Sequence, residues 1–248
     1  MKSNFYINSM ETEDGDMELY VSDNMCNTFV YPEFLLSNYS NIKCIDDESI
    51  VRVLDVGCGA GPFSIFWGKR GKSVDAIDIN PIAIECCNMN IKMHSLQNNV
   101  VVMNKGINEY VSEQPYDLVV CNPPYGDDTY KRKNLALKYD KISEKMKSNV
   151  FDAEVDDFLT NCWKDSYGKD VVDYIFEKSN NLLNTNGKIL LVCGDDFIDG
   201  SDYMLKKLDK YKNITVLFCE KYEKHLCIED NGEKYECDKI YNIIVFHR

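Results

Sequence analysis

The feature that most constrains the fold is one block beginning near residue 50. Val51-Arg52-Val53-Leu54-Asp55-Val56 reads as a short buried strand running into Gly57-Cys58-Gly59-Ala60-Gly61 and then Pro62-Phe63-Ser64-Ile65-Phe66-Trp67. That is strand, glycine-rich turn and helix, with proline at the first helical position, where no N–H is needed. Glycines in such a turn let the backbone bend sharply and pass close to a bound molecule. The next strand, over residues 73–79, carries Asp78 at its end, 21 residues beyond Gly57. An acid at roughly that offset hydrogen-bonds ribose hydroxyls in nucleoside-binding α/β folds.

The alternation continues along the chain. Strands are predicted near 51–56, 73–79, 100–104, 117–121 and 188–194, and helices near 62–70, 81–93 and 170–184, after an irregular N-terminus. This pattern predicts an α/β fold with a doubly wound, mostly parallel sheet and helices on both faces. Residues 214–219 and 240–246 are β-rich and suited to antiparallel pairing. Between them, Asn231-Gly232 flanked by Leu226-Cys227-Ile228 and Tyr235-Glu236-Cys237 predicts a smaller hairpin with a type I′ turn.

The fourth strand runs into Asn122-Pro123-Pro124-Tyr125. An Asn side-chain oxygen and a neighbouring carbonyl, here that of Pro123, can accept both hydrogens of a planar NH2 group. The prolines stiffen the turn by fixing their own φ and restricting the residue before each, and the Tyr125 ring is available to stack on the planar group. As a bare turn, the same run is a rigid strand-ending loop.

The glycine turn, the spaced acid and the Asn-Pro-Pro-Tyr run, in this order, resemble the class I S-adenosylmethionine-dependent methyltransferases, in the amino-methylating branch. Within it the chain resembles the HemK-like family, which methylates glutamine side-chain amides in proteins. Asp78-Ile79-Asn80-Pro81 is similar to that family's second-strand sequence, and Tyr167 to Asp173 with Leu182 to Val192 to its fifth helix and strand. The resemblance implies a seven-stranded Rossmann-like sheet with antiparallel C-terminal strands and S-adenosyl-L-methionine as cofactor. It assigns Asp55, Gly57, Gly59, Gly61, Asp78 and Asn122 to the cofactor, and Asn122, Pro123 and Tyr125 to the acceptor nitrogen. Two departures stand out: the 50 or so residues before the first strand are too few for the family's helical substrate domain, and Gly106 stands where an acid usually approaches the cofactor's adenine.

Composition narrows the partners. The net charge is −13, and residues 1–50 hold ten acids against Lys2 and Lys43, a balance of −8 that leaves −5 for the rest. The cluster from Glu11 to Glu18 reads as a solvated terminus, or as a dock for a basic partner. Duplex nucleic acid is repelled unless a local basic face compensates; Lys131, Arg132, Lys133, Lys138, Lys141, Lys145 and Lys147 are the one such crowd. Eleven cysteines, an odd number without a Cys-x-x-Cys pair, read as reduced thiols in cytoplasm. His94, His225 and His247 lack ligand spacing, so no metal is expected. No apolar run approaches membrane-spanning length.

The chain therefore divides into an acidic segment, 1–50, and a methyltransferase-like domain, 51–248, within which 126–166 is a long insertion. Because ligands in open α/β sheets lie beyond the carboxyl ends of the strands, that insertion reads as a substrate lid. The expected chemistry is N-methylation of a planar NH2, with a protein glutamine amide as first acceptor. Adenine N6 in RNA or DNA is the alternative, then a small-molecule amine. The resemblance also allows a small activating subunit.

Overall fold

The computed structural model describes residues 4–22, 30–45, 47–123, 167–194, 210–211, 215–230 and 233–247. An N-terminal hairpin comprises β1 (Phe5–Met10) and β2 (Met17–Ser22), followed by α1 (Val30–Ser37). Then β3 (Arg52–Val56), α2 (Pro62–Lys69), β4 (Ser73–Asp78), α3 (Pro81–Met93), β5 (Val100–Asn104) and β6 (Tyr116–Cys121) alternate as the sequence pattern predicts. Beyond the insertion come α4 (Tyr167–Leu182), β7 (Leu183–Gly194), β8 (Thr215–Asp230) and β9 (Glu233–His247). The proposed lid, Pro124, Tyr125 and the basic residues of 131–147 lie outside the described residues.

The main sheet has seven strands in the order β5-β4-β3-β6-β7-β9-β8. The first five run parallel, and β9 is antiparallel to both β7 and β8. The central strands read as near-continuous apolar runs because both faces are covered: Val53, Leu54, Leu118, Val119 and Val120 are wholly buried. One apolar layer joins α2 and α3 to the sheet, and the other is built on α4, with Val172, Ile175 and Phe176.

Two expectations are corrected. The N-terminus, read as irregular and solvated, is folded into the first layer. Met10, Met17, Leu19 and Val21 are buried in the same cluster as Phe66 and Trp67, with Met17, Leu19 and Val21 following a period-two pattern. Its acids are also used: Arg70, at the end of α2, binds Glu13 at 2.6 Å and Asp14 at 2.9 Å while lying 4.1 Å from the Phe66 ring centroid. This cover is why α2 is buried on every side from Pro62 to Gly68. The second correction concerns the C-terminus. The pairs Leu226↔Cys237 and Asp230↔Glu233 continue the ladder that starts at Thr215↔His247, so one long hairpin replaces the two elements expected. Neither glycine nor proline interrupts 215–230, so nothing ends the strand; Asn231-Gly232 itself lies outside the described residues. Among the described residues, no helix is long and apolar enough to cross a membrane.

Candidate cofactor and acceptor site

Register brings the site together. Val56 pairs with Ile77 on one side and with Cys121 on the other. The next residues, Gly57, Asp78 and Asn122, therefore leave three adjacent parallel strands at one level, on the carboxyl edge of the sheet. Asn104 of β5 is level with Asp78. At about 4.8 Å between neighbouring strands, Asp78 and Asn122 begin roughly 10 Å apart, with the glycine turn between them.

The turn needs its glycines for different reasons. Gly57, Gly59 and Gly61 all have positive φ, at 71°, 55° and 84°. A Cβ on Gly57 would meet no atom within 4 Å, whereas one on Gly61 would come 2.6 Å from Cys87 Sγ. Gly61 is thus required by packing on α3, while Gly57 faces open space that a ligand can occupy. The backbone is held from below: Gly57 N and Cys58 N both donate to Ile77 O, at 2.8 and 3.0 Å, and Gly61 N donates to Cys58 O at 2.8 Å.

Asp78 organises the turn as well as edging the site. Its carboxylate accepts from Gly59 N at 2.9 Å and from Asn80 N at 2.8 Å, and Asn80 Oδ1 caps α3 by accepting from Ile82 N at 2.9 Å. Burial pushes its pKa up, and the backbone N–H groups of Asn80, Gly59 and Ile79 oppose that rise. These N–H groups still leave acceptor capacity on a carboxylate that has about four lone-pair sites. The next side chain, Ile79, is 41% exposed, an apolar surface beside the acid.

Asp55 sits beneath the turn, almost fully buried. One oxygen, Oδ2, accepts from Ser64 N at 3.0 Å and Ser64 Oγ at 2.6 Å. It caps the first turn of α2, whose own N-cap, Gly61, has no side chain to do so. The other oxygen, Oδ1, is buried without a hydrogen-bond partner. Burial raises the pKa to about 7 against the Ser64 hydrogen bonds, and the neighbouring Asp78 adds to the rise. An unmet acceptor oxygen and two carboxyls under charge strain suit a cationic ligand.

Asn122 is half-buried and Pro123 buried, immediately beyond β6. Tyr125 lies outside the described residues, so its stacking role has no geometry here. At Gly106, a Cβ would collide with Asn108 Oδ1 and come 3.2 Å from Ile79 Cγ2. The Asn108 amide fills the space a side chain at 106 would take, while Asn104 Nδ2 is engaged with Asp78 O at 2.8 Å.

Two contributors escaped the sequence reading. Ser64 has no motif signal beyond its place in the first turn of α2. Asn90 has one: Ala83, Cys86, Cys87, Asn90 and Ile91 form the buried stripe of α3, and an amide at an apolar position of such a stripe demands partners.

Residues 36–139 match the family described as the methyltransferase small domain. The tRNA1(Val) (adenine(37)-N6)-methyltransferase of Aliivibrio salmonicida is 29% identical over 119 residues, which are 44% of this chain and 49% of that protein. Its counterpart from Parabacteroides distasonis is 35% identical over 103 residues, 39% of this chain and 44% of that protein. The chain thus spans about half the length of the curated relatives it matches. Among solved structures, the T. thermophilus 16S rRNA N2 G1207 methyltransferase, in complex with AdoMet and guanosine, superposes with a TM-score of 0.62 at 13% identity, covering 100% of this chain and 51% of that one. The M. jannaschii tRNA m1G37 methyltransferase gives 0.51 at 18%, covering 100% and 57%. At those identities the likeness concerns the fold.

The sheet has the Rossmann-like methyltransferase fold, and the segment matching the methyltransferase small domain contains the glycine turn, Asp78 and Asn122. That match implies S-adenosyl-L-methionine as the ligand of the site. The open face of Gly57, the unmet Asp55 oxygen and the spare acceptors of Asp78 fit a ligand with a cationic end and a ribose.

Proposed function

We propose that this chain methylates the exocyclic N6 amine of an adenine in RNA, with a tRNA as the first candidate. The observation that carries the proposal is the shared level of Gly57, Asp78 and Asn122 on three neighbouring strands, which supports a reading with an NH2 acceptor at Asn122 and a nucleoside at the glycine turn. A side-chain amide and an adenine amine present the same planar NH2, so Asn122 alone does not choose between them. The relatives act, by name, on adenine N6 of a tRNA, and that moves the first choice from the glutamine amide to the base.

In this reading Gly57, Gly59 and Gly61 pass the backbone close to the cofactor, Asp78 accepts from its ribose hydroxyls, and Asp55 turns its free oxygen toward the cationic end. S-adenosylmethionine supplies a methyl already activated by positive sulfur. The Asn122 side-chain oxygen and the Pro123 carbonyl accept from the two N6 hydrogens and aim the nitrogen along the carbon–sulfur line, and Tyr125 stacks on the base. With that cofactor bound, its methyl would pass to the nitrogen held by Asn122 and Pro123, the carbon–sulfur electron pair would stay on sulfur, and the nitrogen would lose one proton to water. Alignment accounts for much of the rate, helped by hydrogen bonds that strengthen as positive charge grows on the nitrogen. A paired base must first leave its stack.

The net charge of −13 opposes RNA, so binding must use a local basic surface; the seven basic residues of 131–147 are the candidates on sequence grounds. The test is transfer from radiolabelled S-adenosylmethionine to tRNA, lysate protein and small molecules offered separately. N6-methyladenosine recovered from digested tRNA supports the proposal. Label on a protein glutamine, with none in RNA, refutes it and returns the amide reading.

A further inference from the structure

We propose that Asn90 is a positioning residue that couples the N-terminal hairpin to the glycine turn, making the hairpin a working part of the cofactor site. The inference rests on the cofactor reading above. Asn90 lies on the buried stripe of α3 with no exposed surface. Its Oδ1 accepts from Tyr20 N at 2.6 Å, and its Nδ2 donates to Tyr20 O at 2.9 Å and to Ala60 O at 2.8 Å. Both amide hydrogens and the carbonyl oxygen are thus matched, as a buried primary amide requires. Toward β2 the side chain behaves as a one-residue strand, meeting the N–H and the C=O of Tyr20 that face away from β1.

Toward the turn, the same amide fixes one peptide plane. The Ala60 carbonyl is held by Asn90, and the N–H of that peptide, on Gly61, is held by Cys58 O at 2.8 Å. Gly59 N is in turn held by Asp78. Without the Asn90 bond the Ala60–Gly61 peptide is pinned at one end only, next to a glycine that tolerates either sign of φ. A second tether keeps the hairpin on the helix: His94 Nε2 lies 2.8 Å from Glu18 O. The helix therefore starts on the acid at one flank of the site, through Asn80, and clamps the turn at the other through Asn90. The hairpin that holds the Asn90 amide in place thereby helps set the turn.

The test uses the full chain and S-adenosylhomocysteine as probe. Asn90→Leu, close in size, removes all three bonds, and Asn90→Asp keeps the acceptor for Tyr20 N but loses both donors. Each should raise the probe's Kd about tenfold, the effect of losing one orienting hydrogen bond. Val172→Ala, in the opposite apolar layer, supplies a control of comparable thermal destabilisation and should leave Kd within about twofold. Coupling is reciprocal, so in the unsubstituted protein the probe should also slow amide hydrogen exchange over residues 17–22, and that slowing should vanish in Asn90→Asp. Kd values that track melting temperature in all three variants overturn the proposal. Exchange over 17–22 that ignores the probe overturns it too, and that measurement stands even where Asn90→Leu does not fold. Failure of the unsubstituted chain to bind the probe removes the cofactor reading, and the coupling with it.

Discussion

Replacing Asp55 by Asn should stabilise the unliganded protein while weakening its hold on the cofactor. In the folded chain burial lifts the Asp55 pKa to about 7, from an ordinary value of 3.8. The folded state therefore keeps a proton over a range where the unfolded state has released it. The consequence for stability is a loss as pH rises from about 4 to about 7, complete above that. A gap of roughly three pH units, at about 1.4 kcal/mol each, puts the cost of charging Asp55 near 4 kcal/mol as an upper figure. Asn keeps an oxygen for the Ser64 N–H and hydroxyl but carries no charge. Its NH2 occupies the place of the unmet Oδ1, and an unpaired buried amide gives back about 1–3 kcal/mol. A net gain of about 1–3 kcal/mol at pH 8 remains, which for a chain of this size is a rise of several degrees in Tm.

The assay is thermal unfolding of both proteins between pH 4.5 and pH 8.5, without and with S-adenosylmethionine. The difference should rise from a small deficit of the Asn variant at the acid end, change sign, and flatten above pH 7. Cofactor should shrink or reverse it, because a cationic ligand turns the buried charge from a cost into a contact. An Asn variant less stable at pH 8, or a difference independent of pH, would refute the reasoning that Asp55 is a strained buried carboxyl. Unchanged cofactor affinity would refute its placement beside the cationic end.

Further outcomes follow from the same geometry. Gly57→Ala, with open space around its Cβ, should cost about 1–2 kcal/mol of stability from its positive φ yet lower cofactor affinity at least tenfold; Gly61→Ala should be the more destabilising of the two, since its Cβ meets Cys87, and paired Tm and calorimetric Kd measurements distinguish them. Asp78→Ala removes the acceptor for Gly59 N and Asn80 N, and should raise the cofactor Kd about tenfold or more before turnover at saturation changes. Asn122→Ala should lower turnover by about 10²-fold with cofactor affinity nearly unchanged, in a single-turnover assay on tRNA; near-normal turnover would remove Asn122 from the acceptor site.

The sheet was legible because its evidence is local. Buried parallel strands are short apolar runs, and the glycine turn with Pro62 announces a helix within a residue or two. The antiparallel C-terminal pair was legible too, but its extent was not. The β-rich run at 214–219 and the Asn231-Gly232 hairpin were read as two elements, whereas the structure carries one strand from Thr215 through to Asp230. The N-terminus was misread for the opposite reason. Acidic residues between β1 and β2 dominate its composition, while the alternation of Met17, Leu19 and Val21 that drives it into the core is only three residues long. The site was read in part. Glycines and acids have positional meaning in sequence, but the capping of α2 by Asp55 through Ser64 and the bridge made by Asn90 depend on neighbours 9, 30 and 70 residues away. The acceptor was beyond the reach of Asn-Pro-Pro-Tyr because such a run offers acceptors for an NH2 group, whatever molecule bears it.

A parallel sheet also explains why cofactor binding and methyl transfer should be separable by mutation. Asp78 and Asn122 leave strands that flank β3, at a level fixed by the ladder rather than by their loops. A change in the turn or in α3 perturbs the β3–β4 side of that line, where Asp55, Asp78, Ser64 and Asn90 are interlocked by hydrogen bonds. Asn122 is carried by β6, whose pairing with β7 through Cys121↔Leu191 continues on the far side. A hairpin docked on α3 should therefore act on Kd, and a contact on the β6–β7 side on the reacting nitrogen. If substitutions on the two sides instead alter Kd and turnover in fixed proportion, the site moves as one body and the division drawn along β3 is wrong.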